Sequence, residues 1–138
     1  MSSERFITAD PAPEADDLLK RYVDLAHPRL GTEVTFATDD FFADKSRMIA
    51  PEAPVFFPDR FDDHGKWMDG WESRRKRTPG HDHAIIRLGQ RGTIAAVDID
   101  TAFFTGNFPP ETALEAADTV DAPGEDDWQT IVSRMDLK

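Results

Sequence analysis

Residues 83–101 read HAIIRLGQRGTIAAVDIDT, and this stretch favours two β-strands joined by a short turn. The ranges His83–Leu88 and Thr93–Thr101 are short, largely apolar runs, which is the pattern of strands. Gly89 and Gly92 lie between the two runs, where glycine is typical of a tight turn. We therefore predict a strand over each range and a fold built mainly from neighbouring strands.

The segments on either side add further strand patterns. Residues 32–38 read TEVTFAT, in which Val34 and Phe36 alternate with polar residues as in a half-buried strand. Residues 112–118 read TALEAAD, whose residue types favour a helix, although Leu114 and Ala116 also fit the alternation of a strand.

The two ends of the chain contribute little helix. The proline-containing N-terminal segment supports at most a short helix near Asp16–Tyr22. Residues 118–127, DTVDAPGEDD, have the composition of a loop, and residues 128–137, WQTIVSRMDL, resemble the start of another strand. Many strands and few helices predict an all-β sandwich or barrel.

Length and charge limit the kinds of partner. The chain has 138 residues, enough for one domain, and a formal net charge of −11. A strongly acidic chain is a poor sequence-independent binder of nucleic acid, so we expect no nucleic-acid partner. An anionic substrate would have to be attracted by a local patch, and Arg74–Arg77 (RRKR) is the compact cationic one.

Several classes of chemistry and location are disfavoured by absent residues and motifs. The chain has no cysteine, which excludes disulfides, thiolate catalysis and Cys-ligated metals. The phosphate-binding and serine-hydrolase glycine patterns are missing. The sequence has neither a signal peptide nor a long apolar run, so we expect a soluble cytoplasmic protein without a membrane partner.

The first candidate site surrounds the cationic patch, where Asp69 and Glu72 precede Arg74 and Arg75. A guanidinium grips a carboxylate with two parallel hydrogen bonds, which makes these arginines candidates for substrate binding. In an extended segment Glu72 and Arg74 would share one side. The alternative is a solvated basic loop that balances nearby acids.

The second candidate is His81-Asp82-His83. On a strand His81 and His83 would share a face and could chelate a metal. A cupin would supply a glutamate a few residues later, whereas an apolar run follows here, so the cupin signature fails. The alternative is one packed and one exposed histidine. No cofactor is required by the sequence, and a divalent metal is not excluded.

The remaining candidates are aspartates and one asparagine. Asp98 and Asp100 share a face at the end of the predicted strand. If that face is the concave side of a sheet, the two carboxylates need cationic partners or a proton, and the alternative is an exposed sheet face. Asp39 and Asp40 precede two phenylalanines and fit either a site or a cap or turn. Asn107 is most simply a turn residue.

Together these segments resemble allantoicase, the family that hydrolyses allantoate to ureidoglycolate and urea. The resemblance covers about residues 22–117 and rests on five segments, which follow in the family's order. These segments are VDLAHPRLGTEV, ATDDFFADK, KWMDGWESRRKR, GHDHAIIRLG and VDIDTAFFTGNFP.

The resemblance implies a jelly-roll-like β-sandwich similar to galactose-binding domains, normally present as two tandem repeats. It implies a strand for TALEAAD, an N-terminal extension over residues 1–21, and a first repeat over residues 22–138 that lacks its closing strands. The family usually has an aromatic residue where this sequence has His83, so the resemblance weakens the metal pair, whereas His81 and Asp82 match the motif.

The resemblance implies allantoate as the substrate and supports the importance of the motif positions, and the individual roles are inferred from residue type. The substrate would be allantoate in purine and allantoin degradation, with Arg74 or Arg75 holding its carboxylate and Asp or Asn side chains (Asp39, Asp40, Asn107) accepting its ureido N–H groups. Urea leaves poorly without a proton, which indicates a general acid. We predict His81 or Glu72 as acid or base, with Asp82, Asp98 and Asp100 in the catalytic group.

Two other functions fit the residues. One is a non-catalytic galactose-binding-like module for a small polar ligand, and the other is a metal-dependent hydrolase built on His81, His83 and the aspartates. A sandwich without its closing strands exposes open edges, so we expect a homo-oligomer or aggregates, and we leave open the activity of an isolated fragment.

Overall fold

The structure is a computed structural model that describes residues 4–137. It contains one short α-helix, α1 (Pro13–Arg21), and otherwise strands, short 3₁₀ turns and loops. The strands are β1 (Ile7–Thr8), β2 (Glu33–Ala37), β3 (Val55–Phe56), β4 (Phe61–Asp62), β5 (Gly65–Lys66), β6 (Ala84–Arg87), β7 (Glu111–Ala116) and β8 (Gln129–Asp136). The predicted all-β class is confirmed.

All strand pairs within the described residues are antiparallel, and each forms a two-stranded sheet. The pairs are β1 with β3, β2 with β6, β4 with β5 and β7 with β8. The chain divides into two compact units, the first ending at Phe103 and the second beginning at Phe104. The first unit contains β1 to β6 and the second contains the β7–β8 hairpin.

The helix α1 lies where the short N-terminal helix was predicted. A proline occupies its first turn, where the missing N–H costs nothing, and ion pairs one turn apart join Asp16 to Lys20 (2.9 Å) and Asp17 to Arg21 (2.9 Å). Its Ala15 is one of few buried apolar side chains. No helix in the described part of the chain is long and apolar enough to cross a bilayer.

The core of the first unit is small. Its buried apolar residues are Ala15, Val34, Ala43 and Met68. Val34 belongs to β2, and Ala43 forms a backbone bridge with Glu72. The cationic segment is therefore connected to the core through Glu72, two residues before Arg74.

The strand predictions over residues 32–38, 83–88 and 128–137 are confirmed by β2, β6 and β8. TALEAAD forms β7 against its helix propensity, with Thr112, Leu114 and Ala116 half-buried in alternation. Pairing with β8 supplies the backbone hydrogen bonds that decide for the strand.

The strand predicted over Thr93–Thr101 is wrong. No ladder, turn or bend occurs from 93 to 101, and β6 pairs with β2 and not with this segment. Ile94, Val97 and Ile99 are 40 to 42% exposed. The pattern is that of a strand, but a strand needs a partner for its backbone groups, and none of the described strands pairs with this segment.

Candidate functional site

The candidate site lies at the end of the β2–β6 pair. Past its last register pair, Ala37 with Ala84, the Thr38 amide N–H still donates to the His83 carbonyl (2.9 Å). The Thr38 hydroxyl donates to Asp82 Oδ1 (2.7 Å) and accepts from the His83 amide (3.1 Å). The strand pairing thus places the Asp82 carboxylate beside Thr38, the residue before Asp39.

Asp39 connects this end of β2 to the cationic segment. Its Oδ1 accepts the amide N–H groups of Phe41 (3.0 Å) and Arg74 (3.2 Å), and its Oδ2 accepts the Arg74 Nε–H (2.7 Å). The Trp71 indole N–H donates to the Asp39 carbonyl (2.7 Å). These bonds hold residues 71–74 against the loop that follows β2.

The same contacts set the protonation of Asp39. The Phe41 amide, followed by the Arg74 guanidinium, holds the pKa of this carboxyl below its ordinary value, although partial desolvation opposes them. Asp39 is therefore ionised at neutral pH. Its stabilising contribution is present above the ordinary carboxyl pKa and is lost as the pH falls through the lowered one.

A cleft of about 320 Å³ opens beside these contacts. Its lining residues are Asp39, Arg74, Arg75, Lys76, Arg77, Thr78 and Asp82. Four cations face two carboxylates there, so the lining is locally cationic in a chain of net charge −11. Both carboxylates already have partners, since Asp39 pairs with Arg74 and Asp82 lies 3.9 Å from Lys76 Nζ.

A second hollow of about 260 Å³ lies near the start of β2 and is lined by Val23, Asp24, His27, Arg29 and Leu30. Its surface is mainly apolar and contains none of the predicted site residues. We place the candidate site in the charged cleft, because that cleft collects groups able to orient a small polar anion.

Four of the predicted site residues line the charged cleft: Asp39, Arg74, Arg75 and Asp82. Asp40 lies outside it and accepts the Lys45 amide N–H (3.2 Å), whereas Asp44 caps the 3₁₀ turn that begins at Lys45. Glu72 is half-buried beside Ala43, with which its backbone is bridged. His81 is exposed, and its ring lies 6.2 Å from that of His83.

The two aspartates of the irregular segment lie outside the cleft lining as well. Asp98 is exposed, but partial desolvation by its surroundings raises the pKa of its carboxyl, and the neighbouring charge of Asp100 raises this pKa further. Asp100 accepts the Ala102 amide N–H (2.8 Å). Asn107 belongs to the second unit, in a turn as expected. The catalytic roles assigned to these residues stay predictions.

The described residues add no third ligand to the metal site hypothesised at His81 and His83. Among residues 4–137, no three or more His, Asp or Glu side chains are grouped so that they could hold a metal ion. His81 and His83 therefore remain a pair, and a hydrolytic metal site normally has at least three protein ligands.

Some residues of the site were not singled out from the sequence. Lys76, Arg77 and Thr78 line the cleft, and Thr38 and Trp71 orient its two aspartates. The patch RRKR pointed to the first two. Thr38 precedes the aspartate pair in TFATDD, but only the pairing of β2 with β6 brings its hydroxyl to Asp82.

Comparison with known protein families gives a match over residues 23–138 to the allantoicase repeat. A probable allantoicase of Photobacterium profundum is 56% identical over 121 residues, which are 86% of this chain and 37% of that protein. Probable allantoicase 2 of Burkholderia mallei is 52% identical over 127 residues, which are 91% of this chain and 38% of that protein.

Solved structures give the same result for the fold. The crystal structure of allantoicase from Saccharomyces cerevisiae superposes with a TM-score of 0.66 at 30% identity, covering 96% of this chain and 42% of that one. A second allantoicase structure gives 0.65 at 32% identity, covering 95% and 42%. These matches confirm the predicted fold class. The chain spans about 38% of the length of the curated relatives it matches.

Proposed function

Because this chain belongs to the allantoicase family, we propose that it takes part in the hydrolysis of allantoate to ureidoglycolate and urea, a step of purine and allantoin degradation. The chain spans only part of its relatives, so the proposal is that it supplies the substrate-binding cleft of one repeat. The observation that carries it is the locally cationic cleft in which Asp39 and Asp82 face four cationic residues.

The chemistry of allantoate is complementary to this cleft. Allantoate has one carboxylate and two ureido groups on a single carbon. A guanidinium of the cleft can bind the carboxylate with two parallel hydrogen bonds. The oxygens of Asp39 and Asp82 can accept ureido N–H groups, and a cleft of about 320 Å³ is of a size for one small molecule.

Hydrolysis also needs a proton for the departing urea nitrogen. His81 and Glu72 are the acid or base candidates from residue type, and Asp82 and Asp100 would orient substrate or water. The raised pKa of Asp98 supports an acidic role for this residue, because a carboxyl that keeps its proton closer to neutral pH is a better general acid. The bond broken is a C–N bond to a ureido group, and the enzyme class is a hydrolase.

The second candidate function is binding without catalysis. It is favoured by one observation: the acid candidates Glu72, His81 and Asp98 do not line the cleft, whereas the binding candidates Asp39, Arg74 and Arg75 do. As to context, we propose a cytoplasmic homo-oligomer in which residues 1–21 extend a repeat that begins at residue 22.

The test is allantoate binding by the purified chain, measured by calorimetry, together with urea release. We expect the unaltered chain to bind allantoate and Arg74→Gln to weaken binding about tenfold or more, since a hydrogen bond to a charged group contributes about 1.5–3 kcal/mol. Arg87→Gln on β6 removes another exposed arginine, which lies outside the cleft lining, and serves as the control.

The outcomes separate the two functions. Urea release by the unaltered chain would assign catalysis to this repeat, and binding without urea release would favour the binding module. If the unaltered chain does not bind allantoate, or if both arginine variants bind it equally well, the cleft is not the allantoate site.

A further inference from the structure

The Arg74 guanidinium is held by one edge. Its Nε–H donates to Asp39 Oδ2 (2.7 Å), while the side chain as a whole is 63% exposed. The two Nη groups form the outer edge of the guanidinium, and that edge can bind a carboxylate with two parallel hydrogen bonds. The position of this edge depends on what fixes the guanidinium plane.

The guanidinium lies over an aromatic ring. The Arg74 Cζ lies 5.2 Å from the centroid of the Phe41 ring, within the range of a cation–π interaction. Phe41 is 43% exposed, so packing in the core does not account for its position. Its amide N–H bonds Asp39, the same carboxylate that accepts from Arg74.

His64 in turn holds Phe41. The two rings are stacked with centroids 4.2 Å apart and planes 13° from parallel, and the Phe42 ring meets Phe41 edge-on at 5.1 Å. His64 Nδ1 is also hydrogen-bonded to the Phe41 carbonyl, which fixes Nδ1 as the protonated donor. His64 lies in the turn between β4 and β5, where its backbone amide N–H donates to Asp62 Oδ1 (2.8 Å).

We infer that Phe41 and His64 are positioning residues, which hold the Arg74 guanidinium in place for the carboxylate of the substrate. The inference rests on the proposed function, because the carboxylate is that of allantoate. A long arginine side chain loses conformational freedom on binding a ligand, and a stack that fixes it beforehand lowers that cost. His64 and Phe41 do not line the cleft, so they act through Arg74.

The test measures two quantities separately: the hydrogen exchange of the Arg74 Nε–H and the affinity for allantoate. In ¹⁵N-resolved NMR of the full chain, the Nε–H of a held arginine exchanges slowly with water, and we assign the Arg74 signal by its loss in Arg74→Gln. His64→Ala and Phe41→Leu are expected to accelerate this exchange and to weaken allantoate binding about three- to tenfold, in line with a cation–π contact.

Two variants separate positioning from a general effect on folding. His64→Phe keeps the stacked ring and is expected to bind allantoate within about twofold of the unaltered chain. Tyr22→Leu removes the ring of another exposed cation–π pair, Arg21 with Tyr22 (5.7 Å), and is expected to leave the Arg74 signal and binding unchanged.

The inference is overturned if His64→Ala leaves the Arg74 Nε–H exchange unchanged, even where allantoate binding is observed. It is also overturned if His64→Phe weakens binding as much as His64→Ala. If the unaltered chain binds no allantoate, the proposed function fails, and the carboxylate role of Arg74 fails with it, whatever the exchange of its Nε–H. The inference is supported if Tyr22→Leu binds allantoate like the unaltered chain while His64→Ala and Phe41→Leu bind it more weakly and show faster exchange of the Arg74 Nε–H.

Discussion

At the scale of single residues, two aspartates of the first unit have opposite pKa shifts for opposite physical reasons. Asp39 accepts hydrogen bonds from Phe41 and Arg74, which favour its charged form and lower its pKa. Asp98 is partly desolvated and lies near Asp100, which disfavours its charged form and raises its pKa. Replacing the carboxylate with an amide should therefore lower the stability of the chain at Asp39 and raise it at Asp98.

We predict that Asp98→Asn stabilises the chain at pH 7, by up to about 0.5 kcal/mol for a residue this exposed. The charged form is disfavoured in the folded chain, so the ionised group costs stability above its raised pKa. That cost shrinks as the pH falls through the raised pKa and vanishes below the ordinary value of about 3.9. Urea unfolding at several pH values checks the gain and its loss in acid.

For Asp39→Asn we expect a change in stability of the opposite sign. This substitution should destabilise the chain at pH 7, and its effect should fade only below the ordinary aspartate pKa, because the folded-state pKa is lowered. Equal pH dependence for the two variants, or a loss of stability in Asp98→Asn at neutral pH, would show that the environments are assigned wrongly.

At the scale of elements, the β2–β6 pair determines where the cleft forms. Its register skips Thr35 between Val34 and Phe36, a bulge that sets which residues stand opposite at the end of the pair. The other end is fixed by Thr32, whose buried hydroxyl donates to the Leu25 carbonyl (2.6 Å) and accepts the Gly89 amide N–H (2.9 Å). Gly89 follows β6 directly after Leu88.

We predict that Gly89→Ala destabilises the chain by about 2 kcal/mol or more. A Cβ at Gly89 would lie 1.9 Å from the Leu30 carbonyl oxygen and 2.5 Å from the Gly31 carbonyl carbon. Both are backbone atoms, which cannot move aside without shifting the connection into β2. The free energy of unfolding in urea measures the loss.

Gly106→Ala is the matched control, since a Cβ there meets no atom within 4 Å. It should change stability little. If Gly89→Ala were as stable as the control, the close approach of the residues after β6 to the residues before β2 would be incorrect.

At the scale of the whole molecule, the chain has much surface and little core. Its accessible area is 10665 Å², whereas a compact monomer of 15.5 kDa exposes about 7,200 Å². Even two separate compact units of these lengths would expose only about 8,500 Å². Large apolar side chains contribute to the surface, among them Ile94, Val97 and Ile99 of the segment without a strand partner.

We predict that the purified chain associates, because unpaired backbone and exposed apolar side chains favour pairing with another chain. Light scattering coupled to size exclusion should give a mass above 15.5 kDa that rises with concentration. Ile99→Glu, which places a charge in the unpaired segment, should lower that mass. A monomer of constant mass over the accessible concentration range would contradict the prediction.

The sequence alone determined the elements that have strong periodicity and a partner. The alternation of Val34 with Phe36 predicted β2, the apolar run after His83 predicted β6, and both are present. The residue types of TALEAAD favoured a helix although Leu114 and Ala116 also fitted a strand, and the family resemblance indicated the strand that β7 forms. The resemblance itself rested on local segments such as DGWESRR and GHD, and the comparisons support it.

Only the tertiary structure decided which patterns found partners. The segment from Thr93 to Thr101 has the residues of a strand, but strand formation depends on hydrogen bonds to another segment, which its own sequence cannot encode. The same holds for the cleft: Asp39 is far in sequence from Arg74 and from Asp82. The hydrogen bonds of Asp39 hold Arg74, and the pairing of β2 with β6 brings the neighbouring Thr38 to Asp82. The stack of His64 on Phe41 beside Arg74 has no sequence signal, since ring contacts depend on distances that folding alone sets.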